Sequence, residues 1–106
     1  MARESKFQAD LIDELHDLFP GCIVLKNDAN YIQGFPDLTI LYQDKWAVLE
    51  CKRGLREPYQ PNQEYYLEVL NDMSFSSMSC PENREAVFYE LQLTFSYRRV
   101  TRISKR

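Results

Sequence analysis

The stretch DLTILYQDKWAVLECK, from Asp37 to Lys52, decides the fold of this chain. It predicts two strands, over residues 37–43 and 46–52, because both runs are short and mostly apolar. A tight hairpin turn at residues 44–45 makes the strands antiparallel, so the start of the first lies beside the end of the second. Both strands are apolar on both faces over much of their length, which is typical of a sheet covered on both sides.

The flanking sequence predicts helices on either side of this hairpin. Phe7, Leu11, Leu15 and Leu18 recur at helical spacing and indicate an amphipathic helix that ends before Pro20-Gly21. The remaining periodicity predicts the following set of elements: helices over residues 4–19, 62–73 and 82–95, and further strands over residues 22–26 and 75–80. The inward stripe of the second helix includes Leu67, Leu70 and Met73, and the third helix carries Val87, Leu91 and Phe95 at steps of four. The order α-β-β-β-α-β-α defines an α/β (α+β) fold, with one mixed sheet flanked by helices. We expect a single domain over residues 1–97.

The charge of the chain is unevenly placed. The 106 residues carry a net charge of −3, with 13 Lys and Arg against 16 Asp and Glu. Five of the basic residues lie in the tail 98–106, which leaves eight basic against 16 acidic residues, a charge of −8, in residues 1–97. Such a tail is either an arm that binds nucleic acid or a solubilising end. No apolar run is long enough to span a membrane, and three cysteines without CxxC spacing favour a reducing, cytoplasmic location.

Polar residues interrupt the predicted strands at one end of the sheet. Glu50 and Lys52 lie on the same face of the third strand, roughly 6.5–7 Å apart, because side chains alternate along a strand. Asp37, which follows the rigid Pro36, opens the neighbouring antiparallel strand. Two carboxylates and one ammonium group are therefore expected to converge there.

Two helices are expected to add polar residues to this site. Glu4 and Gln63 stand at the leading ends of the inward stripes of their helices, where the pattern requires apolar residues. Each is also a residue that a helix N-terminus favours, so a purely local role remains open. A cluster of carboxylates without His or Cys ligands suits Mg²⁺ or Mn²⁺. A metal beside a lysine fits phosphoryl chemistry, because both stabilise charge that develops on the phosphate.

These residues carry a resemblance to a known family. GFPD (residues 34–37), twelve intervening residues and ECK (residues 50–52) resemble the PD-(D/E)XK nuclease superfamily, and most closely the virus-type replication-repair nuclease domain. RESKFQ (residues 3–8) is similar to the helix-borne ESxI segment of that family, and PNQ (residues 61–63) to the start of its later helix. The resemblance covers roughly residues 3–73. It implies a restriction-endonuclease-like αβββαβ core with an extra C-terminal helix.

The resemblance also implies roles for individual residues. Asp37, Glu50 and the backbone carbonyl of Cys51 would coordinate Mg²⁺ or Mn²⁺, and Lys52 would be the catalytic lysine. Glu4 would support the metal or its waters, and Gln63 would lie beside the site. Small stand-alone members resemble Holliday-junction resolvases, tend to be homodimers, and are similar to proteins that bacteriophages encode, which implies action inside an infected bacterial host.

The sequence therefore predicts a metal-dependent, structure-selective endonuclease for branched or junction DNA. A catalytically inactive binding module on the same fold is the alternative, and an RNA-directed nuclease is a third hypothesis. Lys26, Asn27, Arg53 and Arg56 are either phosphate contacts or ordinary solvated residues. Tyr59, Tyr65 and Tyr66 either stack on bases or, as is commoner for aromatic residues on a helix face, belong to the core.

Overall fold

The structure is a computed structural model that describes residues 2–96, with side chains from residue 5 onward. Its elements are α1 (Ala2–Leu18), β1 (Ile23–Lys26), β2 (Leu38–Tyr42), β3 (Lys45–Cys51), α2 (Gln63–Met73), β4 (Phe75–Ser79) and α3 (Arg84–Ser96). The predicted α+β class and element order are confirmed: an αβββαβ-type core is followed by a C-terminal helix. The predicted end of the domain at residue 97 and the basic tail 98–106 lie outside the described residues.

The four strands form one mixed sheet in the order β1-β2-β3-β4. β1 pairs with β2 and β2 with β3 in antiparallel fashion, whereas β3 and β4 are parallel and are connected by α2. The hairpin turn consists of Gln43 and Asp44, because Tyr42 already pairs with Lys45. The predicted turn at residues 44–45 was therefore wrong by one position. Gln43 adopts the left-handed conformation (φ 58°) that a two-residue hairpin turn demands.

One face of the sheet packs against α1 and α3 to form the main core. In α3, Val87, Leu91 and Phe95 are buried at steps of four residues, as the periodicity predicted. Leu18, the last residue of α1, is 40% exposed, and Phe19 directly after the helix is buried in its place, so the predicted inward position of Leu18 was wrong. The core joins helix residues to alternate strand positions: Phe7, Leu11, Leu15, Phe19, Cys22, Leu38, Ile40, Ala47, Leu49, Cys51, Val87, Leu91 and Phe95.

The opposite face of the sheet carries α2. Gln63, in the first turn of this helix, reaches Glu50 and Lys52, whose side chains point away from the α1/α3 core. α2 contacts the edge strand β4, and Leu70 is its buried residue. Met73 was predicted to lie on the inward stripe, yet it is 64% exposed because the helix packs near the edge of the sheet. Between residues 2 and 96, no helix combines the length and the apolar character that crossing a membrane requires.

Candidate metal and nuclease site

Asp37 and Glu50 face each other across the hairpin. The register pairs Leu38 with Leu49, so one further step brings Asp37 opposite Glu50, with both side chains on the α2 face. The backbone N–H of Cys51 donates a hydrogen bond to Asp37 Oδ2 (2.9 Å). The predicted convergence of the two acids at one end of the sheet is therefore present in the structure.

The acid pair is withdrawn from solvent. Glu50 is 3% exposed and Asp37 is half-buried. Burial raises the pKa of the Asp37 carboxyl above its ordinary value, although the Cys51 N–H, the charge of Lys52 and a hydrogen bond with Glu50 offset part of this rise. Two facing carboxylates in such a place favour a shared proton or a bound cation, because two desolvated like charges repel each other.

Lys52 is the most completely enclosed charged residue at this site, with 2% of its surface exposed. Its Nζ donates to Gln63 Oε1 (2.7 Å) and to the carbonyl oxygen of Pro58 (3.1 Å), and lies 3.9 Å from Glu50 Oε2. The ring of Tyr59 is 5.4 Å from the same nitrogen. Pro58 and Tyr59 of the segment 53–62 therefore cover the ammonium group.

Gln63 connects the acid pair to the lysine. Its Nε2 donates to Glu50 Oε2 (2.8 Å), while its Oε1 accepts from Lys52 Nζ and from the backbone N–H of Gln60 (2.7 Å). The amide thus uses both its donor and its acceptor within the site. Gln63 was predicted to lie beside the site, and the structure places it between Glu50 and Lys52.

Glu57 is a charged neighbour that the sequence did not indicate. Its Oε2 lies 4.0 Å from Lys52 Nζ, and its Oε1 accepts from the Arg53 backbone N–H (2.6 Å). The latter hydrogen bond is the main reason that the pKa of Glu57 is lowered. Its negative charge also raises the pKa of Asp37. Glu57 lies in a loop without hydrophobic periodicity, so no pattern in the sequence could have placed it here.

The loop before Asp37 is fixed by polar contacts and by close packing. The side-chain Nδ2 of Asn27 donates to the Pro36 carbonyl (2.8 Å) and to Thr39 Oγ1 (2.9 Å), and the Asn27 backbone N–H donates to the Asp37 carbonyl (2.7 Å). Asn27, predicted as a possible phosphate contact, therefore has its amide committed to holding this loop. Gly34 has a φ of +89° and lies tightly against α2: a Cβ there would be 2.6 Å from the Cβ of Asn62.

The remaining predicted residues are Glu4 and three basic residues at the surface. Glu4 lies in α1, but its side chain is outside the described residues. Lys26 and Arg56 are exposed, and Arg53 is exposed and paired with Glu57 through its Nε (3.4 Å). Lys26 is the last residue of β1, and Arg53 follows Lys52, which comes directly after β3. Both positions are at the end of the sheet that carries the acids.

Two of the three candidate stacking tyrosines are displayed at the surface. Tyr59 is 40% exposed and Tyr65 is 61% exposed, so the expectation that helix-face aromatic residues belong to the core is wrong for both. Tyr66 is half-buried and packs edge-on against Phe35, with ring centroids 5.6 Å apart. Tyr65 is exposed because α2 covers only part of its sheet face, whereas Tyr59 lies before the helix, in the segment 53–62.

The described residues are suited to a metal ion with oxygen ligands. Among residues 5–96, no group of three or more His, Cys, Asp or Glu side chains is arranged to hold a metal. The predicted ligand set draws only two carboxylates from this part of the chain, Asp37 and Glu50, together with the Cys51 carbonyl. Mg²⁺ is commonly held by one or two carboxylates while keeping several waters or binding substrate phosphates, so this donor set fits it.

Comparisons of the chain with protein-family models, with curated proteins and with solved structures found no match. The resemblance to the nuclease superfamily therefore rests on the motif residues themselves. What it implies about activity, metal and partners remains a prediction.

Proposed function

We propose that this chain is a Mg²⁺- or Mn²⁺-dependent, structure-selective endonuclease that hydrolyses phosphodiester bonds in branched or junction DNA. One observation carries the proposal: Asp37 and Glu50 face each other on adjacent antiparallel strands, and Lys52 lies on the same face with its Nζ 3.9 Å from Glu50. Burying three charged groups together is costly unless they serve one another, which favours a functional reason for the cluster.

In this proposal each residue has a distinct task. Asp37, Glu50 and the Cys51 carbonyl would hold the metal, with Glu4 as a further acid. The bound metal supplies charge neutralisation at the phosphate and acidifies water. Lys52 would orient the attacking water or stabilise, through its positive charge, the negative charge that develops on the scissile phosphate. Gln63 fixes the positions of Glu50 and Lys52 through its amide.

We further propose that the protein acts as a homodimer inside the cell. The resemblance implies the dimer, in which each copy would cut one strand. Cys22, Cys51 and Cys80 are buried free thiols, which supports a reducing compartment. Light scattering of the purified protein tests the dimer: a mass of one chain at working concentration would contradict it.

A non-catalytic binding module is the second candidate function. The observation that favours it is the enclosure of Lys52, whose Nζ donates to Gln63 and to the Pro58 carbonyl beneath the segment 53–62. In such a module the polar cluster would serve stability or partner binding, and no metal would depend on the two acids.

Cleavage assays separate the two functions. Purified protein with Mn²⁺ is offered labelled junction, flap and duplex DNA, and an RNA version of the junction tests the RNA-directed hypothesis. Asp37→Ala and Lys52→Ala should each lose at least about 100-fold in rate. Asp13→Ala and Lys45→Ala, at an exposed acidic and a half-buried basic position outside the cluster, should cut like the parent. The proposal fails if no substrate is cut, or if the Asp37 and Lys52 variants match the parent.

Calorimetric titration with Mn²⁺ provides a readout that does not depend on cleavage. The parent should bind the ion, and both Asp37→Ala and Glu50→Ala should abolish that binding. Titration heats that are the same for the parent and these variants would support the binding module instead.

A further inference from the structure

A cleft of about 340 Å³ lies beside the candidate site, on the segment between β1 and β2. This volume lies within the range of small-molecule sites, of roughly 300–1,000 Å³. Apolar and aromatic walls are combined with two polar groups. The lining residues are Asn27, Asp28, Tyr31, Ile32 and Phe35.

The cleft adjoins the backbone that carries Asp37. The Asn27 backbone N–H donates to the carbonyl of Asp37, and the Asn27 side chain donates to the carbonyl of Pro36. Pairing between β1 and β2 brings Lys26 opposite Leu38, so the next residue, Asn27, comes opposite Asp37. Asn27 and the following Asp28 both line the cleft. A ligand in the cleft would therefore lie beside the strand end that carries Asp37.

One side of the cleft packs against α2, and the other side carries an exposed aromatic ring. Phe35 packs edge-on against Tyr66, and the neighbouring Gly34 lies closely against Asn62, so this side is anchored to α2. Tyr31 is different: at 84% it is the most exposed of the large hydrophobic residues between positions 5 and 96. Stacking a flat ligand on this exposed ring is favourable, because it removes the apolar face of the ring from water.

The chemistry of the cleft excludes a phosphate and favours a base. None of the lining residues is positively charged, and Asp28 would repel an anion. Oδ1 of Asp28 accepts from the Asn30 backbone N–H (2.9 Å), which leaves Oδ2 as an acceptor for an N–H of a ligand. Every nucleobase has a π-face, and all but thymine and uracil also carry an exocyclic amine.

We infer that this cleft binds an unpaired nucleobase of the strand whose phosphate lies at Asp37 and Glu50, with the base stacked on Tyr31. The inference rests on the proposed function, since it takes the acid pair to hold a nucleic-acid phosphate. The base must be unpaired, because a base within a duplex is stacked and cannot enter a side cleft without leaving the helix. The site would thus select nucleotides next to a break in pairing.

Binding of fluorescent oligonucleotides tests the inference without cleavage. Anisotropy is measured with a single strand and with a blunt duplex of the same sequence, in EDTA and separately with Ca²⁺. Tyr31→Ala should weaken single-strand binding about tenfold, as expected for loss of one aromatic stacking platform, and Tyr31→Phe should retain parent affinity. The slope of log K against log salt should not change, because no phosphate contact is removed.

Tyr89→Ala is the matched control. Tyr89 is 60% exposed on α3, which packs on the opposite face of the sheet, and its loss should leave binding unchanged. The inference is overturned if Tyr31→Ala binds the single strand within twofold of the parent, if duplex binding falls by the same factor, or if the parent binds no single strand in either buffer. Circular dichroism confirms that the variants are folded.

The two proposals fail in different ways. A parent that binds single strands through Tyr31 but cuts no substrate refutes the endonuclease and leaves the base cleft in place. A parent that cuts DNA while Tyr31→Ala binds and cuts equally well refutes the base cleft and leaves the endonuclease in place.

Discussion

Replacement of Gln63 by leucine should lower the free energy of unfolding by about 3 kcal/mol. The amide of Gln63 makes two hydrogen bonds to charged groups, with Glu50 and Lys52, and one with the backbone N–H of Gln60. Hydrogen bonds to charged groups contribute about 1.5–3 kcal/mol each and a neutral one about 1 kcal/mol. Leucine recovers part of that loss through apolar burial, and Glu50 and Lys52 can still attract each other, which leaves about 3 kcal/mol.

Urea unfolding followed by the fluorescence of Trp46, the only tryptophan, measures this change. Gln60→Leu is the control, because Gln60 is exposed and enters the network through its backbone alone; it should change stability by less than about 0.5 kcal/mol. The m-value should stay constant, so that the shift in midpoint reports stability. A Gln63→Leu protein within 0.5 kcal/mol of the parent would refute the view that this amide joins the buried charges.

Two further predictions concern Asp37 and Gly34 in the loop that precedes it. Asp37→Asn keeps an acceptor for the Cys51 N–H but removes a carboxyl whose pKa is raised in the folded state by burial. The folded parent therefore binds more protons than its unfolded form above about pH 4, and its free energy of unfolding falls as the pH rises through the raised pKa. In EDTA the variant should lack this fall and be more stable than the parent at pH 7. Parallel profiles of unfolding free energy against pH for parent and variant would contradict the assignment. Gly34→Ala should cost at least about 2 kcal/mol, because φ is +89° and the new Cβ would lie 2.6 Å from Asn62 Cβ and the Pro61 carbonyl. In the control Gly54→Ala the nearest atom, Glu82 Oε2, is 3.5 Å away, so scanning calorimetry should show a clear fall in Tm for the first variant only.

The sequence predicted the parts of the fold that depend on strict periodicity. Alternation along β3 placed Glu50 and Lys52 on one face, and the short hairpin brought Asp37 to Glu50, because strand geometry leaves few other arrangements. The steps of four in α3 likewise identified Val87, Leu91 and Phe95 as core residues.

The sequence could not predict contacts that depend on how far a helix covers the sheet or how a loop folds. The stripe of α2 does not reveal that the helix packs near the edge strand, which leaves Met73 and Tyr65 exposed. The position of Glu57 near Lys52 depends on the path of segment 53–62, where no repeat constrains the backbone. The cover that this segment forms over Lys52 was unforeseen for the same reason.

The hairpin turn has a consequence at the opposite end of the sheet. Gln43 and Asp44 close the β2–β3 ladder, and their number fixes which residues stand opposite each other. In a strand a slip of one residue turns every side chain to the other face. A single insertion or deletion in the ladder would therefore turn Asp37 toward the apolar core or away from Glu50. Surface turns ordinarily tolerate changes in length, but the two acids face each other only while the paired residues between them keep their number in each strand.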